Sequence, residues 1–91
     1  MRESKIEDYL VERVKALGGE VRKVKWLGRH GAPDRVAMLP GLLMWVELKA
    51  PGEKAKPHQV REHQRMRAMG QMVVVIDSME LVDEFFSEVV A

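Results

Sequence analysis

The feature that most narrows the fold of this chain is a pair of apolar segments, Arg35 to Leu39 and Leu43 to Lys49, joined by a tight turn at Pro40-Gly41. Two runs of strand length around a Pro-Gly break read as a β-hairpin. Side chains alternate along a strand, so Glu47 and Lys49 share one side while Leu48 points to the other, into the core. Asp34 stands at the start of the first strand. It follows Pro33, which confines Ala32 to extended geometry and helps fix the turn. The hairpin therefore gathers an aspartate, a glutamate and a lysine at one end of two paired strands.

The rest of the chain is read around that hairpin. Ser4-Lys5-Ile6-Glu7 has the form of a capping box, with Ser4 as N-cap and Glu7 reaching back to it. Ile6, Leu10, Val14 and Leu17 then form a helical stripe that ends at Gly18-Gly19. Glu7 flanks this stripe, so its side chain can point toward the sheet. Glu20 to Trp26 alternates as a first strand, and Leu27-Gly28-Arg29-His30-Gly31 is a basic loop bracketed by glycines. Ala50 to Lys56 is a second loop. Pro57 suits the first position of a helix running to Met69, because its missing N–H would have no partner there. That helix is weakly amphipathic, with Val60, Met66 and Met69 as its large apolar residues. The unbroken apolar run Met72 to Ile76 predicts a buried central strand. Asp77-Ser78-Met79-Glu80 opens a last helix as a second capping box, and Leu81, Val82, Phe85, Phe86 and Val89 supply its apolar face. The order α-β-β-β-α-β-α predicts an α/β fold: an antiparallel meander, a helical crossover to a further strand, and a small mixed β-sheet flanked by helices. Ninety-one residues make one domain, 1–91, with room for one modest core.

Charge is unevenly distributed. Up to Ile76 there are 15 Lys and Arg against 9 acids, a net +6; from Asp77 onward there are 5 acids and no Lys or Arg. A basic body with an acidic tail fits binding of a polyanion on one face. There is no cysteine, which removes disulfides and thiolate metal sites. The N-terminal residues lack an apolar signal core, and no apolar run approaches the roughly 20 residues that span a bilayer. The expected location is the cytoplasm, without a membrane partner.

The hairpin trio has a specific chemical reading. Adjacent carboxylates raise each other's proton affinity unless a cation intervenes. Mg²⁺ accepts one or two carboxylates and keeps several waters, and it can polarise a phosphate and acidify a bound water. A lysine beside it can orient the attacking water and stabilise the charge that builds on the phosphate. Gly31-x-Pro33-Asp34-Arg35, about a dozen residues, Glu47-Leu48-Lys49-Ala50-Pro51-Gly52, then Pro57-x-Gln59 on a helix resembles the virus-type replication-repair nuclease (VRR-NUC) domain of the PD-(D/E)XK superfamily, in its stand-alone phage and bacterial form. The likeness covers nearly the whole chain. It implies a restriction-endonuclease-like core, with Asp34, Glu47 and the Leu48 carbonyl as ligands of Mg²⁺, or of Mn²⁺ in its place. It implies Lys49 as the catalytic lysine, Glu7 at the metal directly or through water, and Gln59 positioning substrate or Lys49. It further implies cleavage of DNA, often a four-way (Holliday) junction or flap, by a homodimer in a bacterial cell or phage-infected host, alongside replication, repair or helicase partners. The alternatives are a non-catalytic nucleic-acid-binding or dimerisation module of the same fold, and an enzyme of that fold acting on RNA.

For contact with DNA the expected residues are Arg29, His30 and Arg35 at the site mouth, with Lys54, Lys56, Arg61 and Arg65 on the second loop and its helix. His30, His58 and His63 read as loop or solvated histidines. Tyr9 and Trp45 read as packing residues, and Met66, Met69, Met72 and Met79 as filling for a core or a subunit interface.

Overall fold

Helix α1 (Glu3–Ala16) buries Ile6, Leu10 and Val14 completely, the stripe that their spacing predicts. In this computed structural model, which describes residues 2–87, the helix closes at Gly18, whose φ of +85° suits glycine. There the Gly18 N–H donates to the Lys15 carbonyl at 3.0 Å and the Gly19 N–H to the Val14 carbonyl at 2.9 Å. The start of α1 departs from expectation. Arg2 is the N-cap, no side chain caps it, and Ser4 and Glu7 do not form the box. Glu7 is drawn instead to Arg35, an opposite charge held on the sheet beneath it.

Four strands follow: β1 (Glu20–Lys23), β2 (Arg35–Leu39), β3 (Leu42–Leu48) and β4 (Val73–Ile76). They lie in the order β1-β2-β3-β4. The first three form the predicted antiparallel meander, with Leu39 opposite Leu42 and Arg35 opposite Val46. β4 runs parallel to β3, with Trp45 opposite Val73 and Leu48 opposite Ile76. The crossover carries helix α2 (Pro57–Ala68), and α3 (Met79–Ser87) completes the α-β-β-β-α-β-α order.

Three details correct the sequence reading. β1 stops at Lys23 rather than Trp26; after a last link from the Val24 N–H to the Asp34 carbonyl at 2.8 Å, the chain leaves the sheet. Trp26 sends its indole N–H to Glu62 and sets its ring edge-on to Trp45, with centroids 5.6 Å apart. β4 is the last strand of the sheet rather than a central one. Its apolar run reports burial of both faces, by helices, and not its place in the ladder. Ser78, not Asp77, caps α3, its hydroxyl accepting the Leu81 N–H at 3.1 Å, while the Asp77 carboxylate takes the Gly52 N–H at 3.3 Å. Val89, assigned to the apolar face of α3, lies outside the described residues.

The core sits on one face of the sheet. Ala37 and Leu39, Met44, Val46 and Leu48, and Val74 and Ile76 pack there against the α1 stripe and against Val82 and Phe86 of α3. The opposite face lies under α2, which buries Glu62, His63 and Met66. No helix among the described residues is long and apolar enough to cross a membrane.

Candidate active site

Alternation along β3 sends Met44, Val46 and Leu48 into the core and turns Glu47 to the face under α2. Glu47 is 1% exposed, and Lys49, just past the strand end, is 9% exposed. Asp34 precedes β2 behind Pro33, which is fully buried. Its carboxylate accepts the Leu48 N–H at 2.9 Å, beyond the last ladder pair of β2 and β3. That bond fixes Asp34 beside the end of β3 where Glu47 and Lys49 emerge. The hairpin thus brings the three residues together as the sequence predicts.

Glu47 is held by weak contacts. Its Oε2 lies 3.4 Å from the Gln59 amide nitrogen and 3.8 Å from the Lys49 amine. Its Oε1 has no hydrogen-bond partner, and His63 Nε2, also buried and unpartnered, lies 3.7 Å from it. Burial first, and then the neighbouring Asp34 carboxylate, push the Glu47 carboxyl up to about 8, with Lys49 opposing them and the charge of Glu3 adding a smaller push. Burial is also the main reason that His63 lies below the usual histidine range, with the positive charge of Arg67 next.

This donor set fits a hard divalent cation. A second positive charge beside Asp34 and Glu47 would remove the repulsion and give the orphaned Oε1 a partner. Among the described residues no group of three or more His, Cys, Asp or Glu side chains is gathered to hold a metal. Two carboxylates, backbone carbonyls and water are what Mg²⁺ accepts.

Other expected residues fall in two groups. Gln59 reaches the site from the first turn of α2: its amide oxygen takes the Lys56 N–H at 2.8 Å while its nitrogen faces Glu47. Glu7 pairs with Arg35 on the α1 side of the sheet. Arg35 also donates to the Asp34 backbone carbonyl at 3.0 Å, so Glu7 is tied to the site through Arg35. The Arg35 side chain is 16% exposed, and its guanidinium is engaged with Glu7 rather than open to a phosphate. Arg29 and Arg65 converge on the Glu62 carboxylate, at 2.9 Å each. His30, Lys54, Lys56, His58 and Arg61 are exposed.

Glu62 and His63 are the residues that sequence reasoning missed. Glu62, buried on α2, accepts from Trp26, Arg29 and Arg65 and so staples the basic loop to the helix. The hydrogen bond from Arg29, then those from Arg65 and Trp26 and the charge of Arg29, hold its carboxyl below the usual range. The loop encloses a concave space of about 400 Å³ lined by Lys25, Trp26, Arg29 and His30. The available signal was the spacing of Gln59, Glu62, His63 and Met66, at i, i+3, i+4 and i+7, which is an inward helical face made mostly of polar residues.

Comparison with known proteins agrees with this architecture. No protein-family model matches the chain. It is 49% identical over 82 residues, 89% of its own length and 88% of the relative's, to the protein named "Putative nuclease p44" of Acyrthosiphon pisum secondary endosymbiont phage 1. A solved structure described as a VRR_NUC domain superposes with a TM-score of 0.87 at 44% identity, covering 93% of this chain and 94% of that one.

Proposed function

The chain belongs to the VRR-NUC family of nucleases, and from that premise and the site geometry we propose that it is a Mg²⁺-dependent DNA endonuclease working through Asp34, Glu47 and Lys49. The observation that carries the proposal is Glu47: a carboxylate 1% exposed, with one unpartnered oxygen, set beside a second carboxylate. A fold held together by burial alone gains nothing from such a group, because a buried polar group with an unpaired oxygen destabilises.

Asp34, Glu47 and the Leu48 carbonyl would hold the cation, with Mn²⁺ as a substitute for Mg²⁺. Bound there, it would supply charge neutralisation and Lewis acidity toward the scissile phosphate and an attacking water. The chain's own residues do the rest. The Leu48 N–H fixes the Asp34 carboxylate. Gln59 steadies the outer oxygen of Glu47. Lys49 keeps its ammonium 3.8 Å from that oxygen, where it can orient water and meet the negative charge that grows on the phosphate during in-line attack. Arg35 fastens Asp34 from behind and is itself fastened by Glu7, so Glu7 contributes by bracing the site.

The proposal extends to the substrate and assembly. The loop around Arg29 and His30, together with Lys54, Lys56, Arg61 and Arg65, supplies the basic surface for a phosphate backbone. A two-fold dimer would present two sites to opposite strands of a four-way junction. Exposed apolar residues, among them Met69 at 72% exposure and Met72, offer surface for a second copy.

The test is a cleavage panel of labelled four-way, flap, linear DNA and RNA substrates, with Mg²⁺ and with chelator, beside a solution mass measurement. Cutting of DNA is expected only with metal, and Asp34→Ala, Glu47→Ala and Lys49→Ala are each expected to lose about a hundredfold or more. Equal cleavage by wild type and these variants would sink the mechanism. DNA binding without turnover would point to a non-catalytic module, and preference for RNA would reassign the substrate.

A further inference from the structure

A histidine that is 1% exposed, on a helix whose outer surface is mostly polar and basic, needs a reason to be inside. An aliphatic residue would fill its place without stranding a polar nitrogen. His63 stands four residues after Gln59, so both project from the same face of α2. Each faces one oxygen of the same carboxylate: Gln59 Nε2 lies 3.4 Å from Glu47 Oε2, and His63 Nε2 lies 3.7 Å from Glu47 Oε1. Both members of the second pair are buried without a hydrogen-bond partner. Such contacts at active sites are often long in the ligand-free state and tighten when the site fills. Carboxylates that bind metal are themselves commonly held by a neighbouring donor.

We propose that His63 is a positioning residue for Glu47, donating from Nε2 to Oε1 and, with Gln59, fixing the carboxylate in the orientation that presents it to a divalent cation. This inference rests on the metal-site reading above. It assigns to α2 a second role besides stapling the basic loop: one face of the helix sets the rotation of the buried carboxylate. His63 touches neither substrate nor metal in this arrangement. A neutral imidazole suffices, since what is required is one N–H aimed at Oε1.

The test measures Mn²⁺ affinity by calorimetry on the intact chain without nucleic acid, so that turnover does not enter. His63→Leu removes the donor and keeps a side chain of similar bulk; His63→Gln returns an N–H near the Nε2 position. His63→Leu is expected to weaken Mn²⁺ binding by about ten- to a hundredfold, and His63→Gln to stay within about threefold of wild type. In a Glu47→Gln background, His63→Leu is expected to cause no further loss, because its effect runs through Glu47. Thermal denaturation of each variant shows whether it is folded, and should His63→Leu fail to fold, His63→Met takes its place. Undiminished Mn²⁺ binding by the apolar variant overturns the inference while leaving the metal site intact. Equal loss in His63→Leu and His63→Gln, or the same loss with and without Glu47, also overturns it. A wild-type protein that binds no Mn²⁺ overturns the metal-site reading itself, together with this role.

Discussion

In the metal-free protein the Glu47 carboxyl keeps its proton through the neutral range, because burial and the Asp34 charge push it up to about 8. An unfolded glutamate titrates near ~4.3. Between those values the folded state binds more protons than the unfolded state, so stability from this group is full below the unfolded pKa and is lost as pH rises through about 8. Other carboxylates also titrate on acidification, so the useful quantity is the difference in Tm between wild type and Glu47→Gln in chelator. That difference should move against wild type as pH rises from 5 to 9, and Mg²⁺ should raise the wild-type Tm more at pH 8.5 than at pH 6. A difference that does not change with pH would show that Glu47 is ordinarily solvated. Single residues of the site were legible where the chemistry is local: Asp34, Glu47 and Lys49 follow from a turn and from strand alternation. They were not legible where a partner is distant. Arg35 and Arg29 look like free cations in the sequence, yet their carboxylates come from Glu7 and Glu62, 28 and 33 residues away.

At the scale of elements, α2 is where the sequence pattern misleads. Hydrophobic periodicity looks for an apolar inner stripe, but the inner stripe here is Gln59, Glu62, His63 and Met66, while Val60 and Met69 face outward. The helix is polar inside because it faces the site and the basic loop. Gly31 is the close point of that contact. Its φ is +93°, and a Cβ there would stand 2.8 Å from the Glu62 Cβ and 2.9 Å from the His58 carbonyl oxygen. Gly31→Ala should therefore cost about 1–3 kcal/mol in urea denaturation, from backbone strain together with the clash; a neutral result would mean that the loop is not held against α2. Glu62→Gln should lower stability by about 1 kcal/mol, since its two arginines are half-exposed and such pairs contribute little. It should weaken DNA binding more than this loss implies, because the loop that carries Arg29 and His30 loses its staple. Anisotropy with a short duplex measures that effect, and unchanged affinity would separate the staple from binding.

For the whole molecule, the order of elements and the hairpin were readable because each strand carries its own turn signals, whereas the lateral position of β4 was not, because both its faces are covered. Net charge misleads in a similar way. The +6 of residues 1–76 counts every Lys and Arg alike, but the fold divides them. Arg29 and Arg65 are tied to Glu62, and Arg35 to Glu7, while Lys54, Lys56 and Arg61 are exposed with no side-chain ion pair among the described residues. The two classes should differ in how salt affects DNA binding. Each free cation that meets a phosphate contributes about −0.9 to the slope of log K against log salt on duplex DNA. Replacing Lys54 and Arg61 with Gln together should therefore flatten the slope by about 1.8 if both touch phosphates, with little change in Tm. Arg35→Gln should do the reverse: it strands Glu7 and loosens Asp34, so Tm and cleavage fall while the slope holds. A slope that responds to Arg35 and ignores Lys54 and Arg61 would mean that the paired arginines exchange their carboxylates for phosphates when DNA binds. The interface would then lie on the Glu7–Arg35 side of the sheet rather than along α2.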